Sequence, residues 1–318
     1  LKITPADATG SADTLNLEVK TGTARTQTVE VKGVETLSIT VDDTDGSTEL
    51  QTFALTKFEG TTVNATEKAG TDAPTNLDLG TLHKNVTAVD TTGIKGTQDF
   101  SLASGTAAAT VKLAGNAVAT VIGTAKGDTF TIGKTAAKQH SVSGGAGTDS
   151  VTITVDNLWV DPSLLNVENV TVDVVAGDTN INLGANFHQT ATAITVKGGN
   201  TLSEFKNTGQ ALLDTVKTFD ASDFGGDLIL AVATDKFDDT LTITGSASTK
   251  DSVTNTINSG VDKPKTTGIE TLKMTTTGTG TLDLSNTTGV KTVEATVGGG
   301  TTLTIDKATD QTVKVIGL

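Results

Sequence analysis

The sequence predicts an all-β protein built as a parallel β-solenoid of short rungs, and three observations predict it. Thr makes up about a fifth of the 318 residues, and with Val and Ile it gives a β-branched excess that suits pleated, half-buried surfaces and disfavours helices. Aromatic residues are scarce, with one Trp, no Tyr and nine Phe, so many short aliphatic segments must do the filling that rings usually do. Alternating apolar runs of three to five residues return along the whole length, and with 34 Gly against only four Pro the turns between them must be built from Gly, Asn and Asp. Antiparallel β-sandwich modules with Greek-key loops are the competing architecture.

Taken in chain order, the strands carry two recurring signatures. The first is Asp-Thr followed by alternating apolar residues, at Asp13-Thr14-Leu15-Asn16-Leu17, Asp128-Thr129-Phe130-Thr131-Ile132 and Asp239-Thr240-Leu241-Thr242-Ile243. The second opens with an apolar residue and Glu or Lys. It occurs at Val34-Glu35-Thr36-Leu37, Val167-Glu168-Asn169-Val170, Val216-Lys217-Thr218-Phe219, Ile269-Glu270-Thr271-Leu272 and Val290-Lys291-Thr292-Val293, with a weaker copy at Val86. Inside each copy the period is two, which marks a short strand with one buried face. Between them lie further strands at Val111, Val118, Ile194, Leu228, Leu303 and Val313. The Asp-Thr signature repeats about every hundred residues, a domain-scale length. That spacing divides the chain into β-repeat modules at 1–122, 123–232 and 233–318, or into one continuous solenoid. Only Ser203 to Leu213 and Pro162 to Val167 read as helix.

The net charge of -14 and the absence of Cys narrow the function classes. An acidic chain lacks the Lys/Arg footprint of a nucleic-acid binder, and its charge suits the uptake of divalent cations. Without disulfides, stability must come from a repetitive core, from metals or from assembly. No apolar run is long enough to span a bilayer, and no basic-then-apolar signal segment opens the chain.

One motif carries metal chemistry. Gly144-Gly145-Ala146-Gly147-Thr148-Asp149-Ser150-Val151-Thr152 matches the nonapeptide G-G-x-G-x-D-x-U-x. The glycines allow a tight turn with inward carbonyls, Asp149 adds a carboxylate, and Val151 starts a strand. Gly123-Thr124-Ala125-Lys126-Gly127-Asp128 repeats this logic one coil upstream. The spacing predicts that Asp128 and Asp149 flank one Ca²⁺, with Gly123, Ala125, Gly144, Gly145 and Gly147 shaping the turns. Asp239 and Asp251 are expected to hold equivalent places in a glycine-poor copy. The plainer alternative is a loop, since Gly and Asp favour turns in any case. The acidic run Asp42-Asp43-Thr44-Asp45-Gly46 lacks a closing carboxylate and reads as a solvated turn.

On these residues the chain resembles the repeats-in-toxin secretion family. With the strands that follow Gly33 and Gly268, and with Phe219-Asp220-Ala221-Ser222, it is more closely similar to the calcium-dependent S-layer proteins of Gram-negative bacteria such as Caulobacter and Campylobacter. The resemblance implies a calcium-bound β-solenoid that is secreted and self-assembles into a lattice on the cell exterior. A cell-surface polysaccharide is a further partner, reached through a region outside this segment. Catalytic signatures are missing. There is no thiol, no Gly-x-Ser-x-Gly elbow and no Walker loop. His83, His140 and His188 sit in no metal pattern and read as surface loop residues, and Trp159 reads as packing a loop onto the coil. The expectation is therefore a structural protein and not an enzyme. A secreted adhesin or filament subunit is one alternative, and a β-helix polysaccharide lyase or hydrolase, with paired acids, is the alternative of another class.

Overall fold

The structure, a computed structural model, describes residues 1–318 except 5–9, 11, 22, 44–47, 49, 71–73, 116–117, 136–139, 157–158, 176–180, 185, 188, 208–210, 213–214 and 317–318. The protein is an all-β parallel solenoid. Its contacts divide the chain into two compact units, 1–154 with 162–168 and 155–161 with 169–318. The division falls inside the expected middle module, 123–232. Sequence modules need not coincide with compact units in a coil, because each turn takes its core from its neighbours.

In the first unit each turn contributes two strands to two parallel faces. One face is an eight-stranded sheet that runs from Lys2–Ile3 through Arg25–Val31, Leu50–Phe58, Asn76–Thr81, Gln98–Ser101, Ala119–Ile122 and Ser141–Ser143 to Ser163–Leu165. The other runs from Thr14–Thr21 through Thr36–Asp43, Thr62–Glu67, Ala88–Gly93 and Thr110–Leu113 to Thr129–Thr135 and the strand opening at Ser150. The pairings that build both faces are parallel, so the sandwich alternative falls. Period-two alternation then does its work. Leu37, Val63, Val89, Val111 and Phe130 are in register and all buried, facing the buried column Phe100, Val121, Val142 and Leu164. The outward positions between them form a column of Thr14, Thr36, Thr62, Ala88, Thr110 and Thr129.

The second unit repeats the scheme. Asn169–Val174, Ala193–Gly198, Thr218–Phe224, Thr242–Thr244, Lys265–Thr267 and Thr287–Thr288 stack on one face. Opposite them stand Trp159–Val160, Ile181–Leu183, Glu204–Lys206, Asp227–Ala231, Ser252–Asp262, Thr271–Asp283, Thr292–Val297 and Thr312–Val315. The two long strands Ser252–Asp262 and Thr271–Asp283 carry their pairing past a register shift between Ile257 and Ser259. The far half of Thr271–Asp283 then pairs with Thr302–Asp306.

Among the described residues each expected helix holds a short strand and no helical turn. Ser163–Leu165 pairs with Ser141–Ser143, and Glu204–Lys206 lies between Ile181–Leu183 and Asp227–Ala231. Waiting edges on neighbouring turns outweigh the weak local propensity of these segments. Residues 208–210 and 213 of the second candidate lie outside the described residues. The only helix among the described residues is a 3₁₀ turn at Leu284–Asn286.

All nine Phe are buried, so the few rings the chain has are spent on the core. Phe205 meets Phe219 at 6.0 Å and Phe224 at 6.2 Å between ring centroids. Phe205→Ala should lower stability by about 3–5 kcal/mol, the usual range for emptying a buried ring site, as read from urea unfolding midpoints.

Ion pairs tie successive turns on the outside. Glu30 stands between Lys2 and Lys57, and Lys68 reaches Glu18 at 2.9 Å and Asp42 at 2.8 Å. The two carboxylates beside Lys68 push its pKa up to about 12. Exposed pairs of this kind add little individually.

Candidate functional site

The acids singled out by the nonapeptide stand at corners of the coil, each directly before a strand. Asp128 precedes Thr129–Thr135 and Asp149 precedes Ser150–Val155, one turn on. Both are buried. Their spacing therefore does what the sequence implied, placing them on adjacent turns of one column.

The carboxylates are engaged by backbone of their own and neighbouring turns. Asp128 Oδ1 accepts from the Ala109 amide at 2.6 Å and from Thr124 Oγ1 at 2.9 Å, and its Oδ2 accepts from the Thr124 amide at 2.6 Å. The Asp128 amide in turn donates to Asp149 Oδ1 at 2.6 Å, and the Asp149 amide donates to Glu168 Oε2 at 2.8 Å. Carbonyls return the link, with Thr129 donating to Ala109 O and Ser150 to Asp128 O. The result is a ladder in which each corner acid caps the backbone N–H of the turn before it. Amides just ahead of a parallel strand lack a partner in the sheet, and a buried carboxylate supplies one by a charge-assisted bond.

The same device recurs elsewhere in each unit. In the first, the Asp13 amide donates to Glu35 Oε2 at 2.8 Å; Glu67 differs, since it ends its strand and its Oε1 accepts from the later amides of Thr75 and Lys95. In the second, the Leu228 amide donates to Asp251 Oδ1 at 2.9 Å, Ser246 donates to Asp251 through its amide and hydroxyl, and the Asp251 amide donates to Glu270 Oε2 at 3.1 Å. His140 takes this role with a ring nitrogen, its Nδ1 accepting from the Ala119 amide at 3.2 Å. It is therefore buried, and the expectation of a surface histidine is corrected. His83 Nδ1 accepts from the Asn85 amide, and His188 lies outside the described residues.

Two glycines explain why the turn is glycine-rich. A Cβ on Gly144 would sit 2.0 Å from the Asn166 carbonyl oxygen, and one on Gly145, at φ +101°, would sit 2.0 Å from the Thr124 carbonyl oxygen. Backbone from the neighbouring turns packs directly on these Cα atoms, so only Gly fits. Gly123 is buried beside them, while Ala125 and Gly147 are exposed.

Asp239 and Asp251 are not a stacked pair. Asp239 is exposed in the turn before Thr242–Thr244 on one face, whereas Asp251 is buried before Ser252–Asp262 on the other. The stacked neighbours of Asp251 are Leu228 and Glu270. The matching Asp-Thr spelling at 239 reflects a local Asx turn, in which Asp238 Oδ1 accepts from the Thr240 amide and hydroxyl. Of the acidic run at 42–46, Thr44 to Gly46 lie outside the described residues, and Asp42 bonds Lys68.

Burial pushes the carboxyl pKa of Asp149 up, with Asp128 and Glu168 adding like charge against the lowering effect of the Asp128 amide. Burial raises that of Asp251 in the same way, opposed by the Leu228 and Ser246 donors. Asp128 and Asp251 each accept three N–H or O–H bonds, which tie these carboxylates to nearby amides and hydroxyls by charge-assisted bonds. Among the described residues no three acidic or histidine side chains converge closely enough to hold a metal ion. Sequence reasoning overlooked Glu35, Glu168 and Glu270 as partners of this ladder. The available signal was an acid directly before a strand, about twenty residues after another corner residue.

No family model matches the chain. No curated protein and no solved structure shows significant similarity to it. No helix of the described residues is long and apolar enough to cross a membrane.

Proposed function

We propose that the protein is a structural subunit of an extracellular coat, assembling with copies of itself into a surface-layer lattice outside the cell. The observation that supports this reading is the uniform stacking of short turns, which presents repeated outward columns on each unit. Thr14 to Thr129 form one such column in the first unit, and Lys273, Glu294 and Lys314 stand in register in the second. Repeated faces of this kind suit extended, many-copy contacts. The buried acids of the ladder hold backbone in place, which supports a rigid, structural role.

Calcium enters the proposal at the contacts between copies. Subunits that each carry a net charge of -14 repel one another, and divalent counterions at their acidic faces lower that repulsion. Electron microscopy of the purified protein tests the reading directly. Ordered sheets should form in millimolar calcium and disperse into monomers on chelation. Monomers that stay dispersed at every calcium concentration would count against the lattice, and turnover of a polysaccharide removed by one carboxylate substitution would replace it with an enzyme.

A further inference from the structure

The second unit holds one buried carboxylate that the capping ladder does not use. Asp262 ends the long strand Ser252–Asp262 and is only 2% exposed, whereas Val261 beside it is 60% exposed. Past the register shift, residues 258–261 are all exposed and the strand ends on an inward acid, next to Leu282, its partner in register, and one strand away from Ile305. Asp262 Oδ2 is buried with no hydrogen-bond partner. A buried carboxylate without a donor is costly when ionised.

Its charged surroundings make ionisation harder. Asp235 and Asp238, on the segment between Ala233 and Leu241, act on it as like charges. Asp235 is itself held in place, since its Oδ1 accepts from the amides of Asn258 and Ser259 and its backbone sits at φ 54°. Asp238 is engaged by Thr240 and lies in the field of Lys217 and Lys236. On Thr271–Asp283 the residue after its partner Leu282 is Asp283, which Lys263 meets at 3.9 Å, and on Thr302–Asp306 the residue in register with Asp283 is Asp306, paired with Lys307. Lys263 is thus directed to Asp283, and among the described residues no cation is bonded to Asp262. A bound metal could also neutralise such a group, but no set of three acidic or histidine ligands converges among the described residues.

We propose that Asp262, flanked by Asp235 and Asp238, is a proton-operated latch: protonated, it seals the end of its strand against Thr271–Asp283 and Thr302–Asp306, and on losing the proton it admits water and frees that corner. Burial, then the charges of Asp235 and Asp238, lift its pKa to about 7. The sign follows from linkage. An unfolded Asp ionises near pH 4, so the folded corner binds the extra proton between about pH 4 and 7. The latch is fully engaged at the acid end of that window, weakens as pH rises through it, and is released above it.

Hydrogen exchange, corrected for the intrinsic effect of pH, tests this on the amides of 259–262, 279–283 and 302–306. Their protection should fall as pH rises from 5 to 8, while that of 169–174 stays level. Asp262→Asn, which cannot ionise, should keep the corner protected across the range. Asp235→Asn leaves Asp262 in place but removes a like charge that opposes its ionisation. The midpoint for loss of protection should then move to lower pH. A wild-type corner whose protection does not depend on pH would overturn the latch. So would an Asp235→Asn midpoint equal to the wild type, or protection at pH 8 that returns on adding calcium alone.

Discussion

Replacing Asp128 by Ala should lower stability by about 4 kcal/mol, because it strips the buried amides of Ala109 and Thr124 of their acceptor at once, and each buried donor left unpaired costs about 1–3 kcal/mol. Asp128→Asn should cost nearly as much. Its amide oxygen can accept from one backbone N–H, but its NH₂ group then faces the other donor. The measurement that separates this role from metal binding is urea unfolding in chelator and in calcium. If the carboxylate is an amide cap, the loss is the same in both. A loss seen only in calcium would assign the residue to a cation.

Gly145→Ala should be about as damaging. The substitution adds left-handed backbone strain of about 1–3 kcal/mol to a clash with the Thr124 carbonyl oxygen, which overpacking data place at about 1–3 kcal/mol. The turn cannot step aside, because its Asp149 is tied to the next turns through Asp128 and Glu168. Gly299→Ala is the internal control. No atom lies within 4 Å of where its Cβ would sit and its φ is not left-handed, so stability should rise slightly or stay unchanged. Thermal unfolding of the two variants checks the pair, and equal midpoints would refute the account of the turn.

Much of the fold was legible because a solenoid writes its register into local pattern. Leu37, Val63 and Val89 alternate with polar residues on their own strands, and that alternation survives whichever turn they stack on. The position of the site was legible for the same reason, since Asp128 and Asp149 mark equivalent corners of adjacent turns. Their role was not. Gly and Asp at a tight corner serve a cation or a neighbouring backbone equally well, and the sequence does not say which atoms meet Gly144 and Asp128. Asp239 misled because its spelling repeats while its place in the coil does not. Asp262 left no trace, because its burial depends on how far Ser252–Asp262 continues past Ile257, which is set by pairing with Thr271–Asp283. The helical reading of Pro162 to Val167 failed for a related reason: a segment of weak propensity takes the conformation its neighbours offer.

The corner ladder links residues 19 to 23 apart, one turn to the next. Within each unit a turn is thus fastened to its immediate neighbours and to little else. Tension on the chain would be borne by one turn at a time, and each turn that yields would release on the order of 70 Å of extended chain. The turns beneath would keep their bonds while it did so. In mechanical terms the ladder makes the coil a series of sacrificial links, able to lengthen under load and dissipate work before any covalent bond is strained.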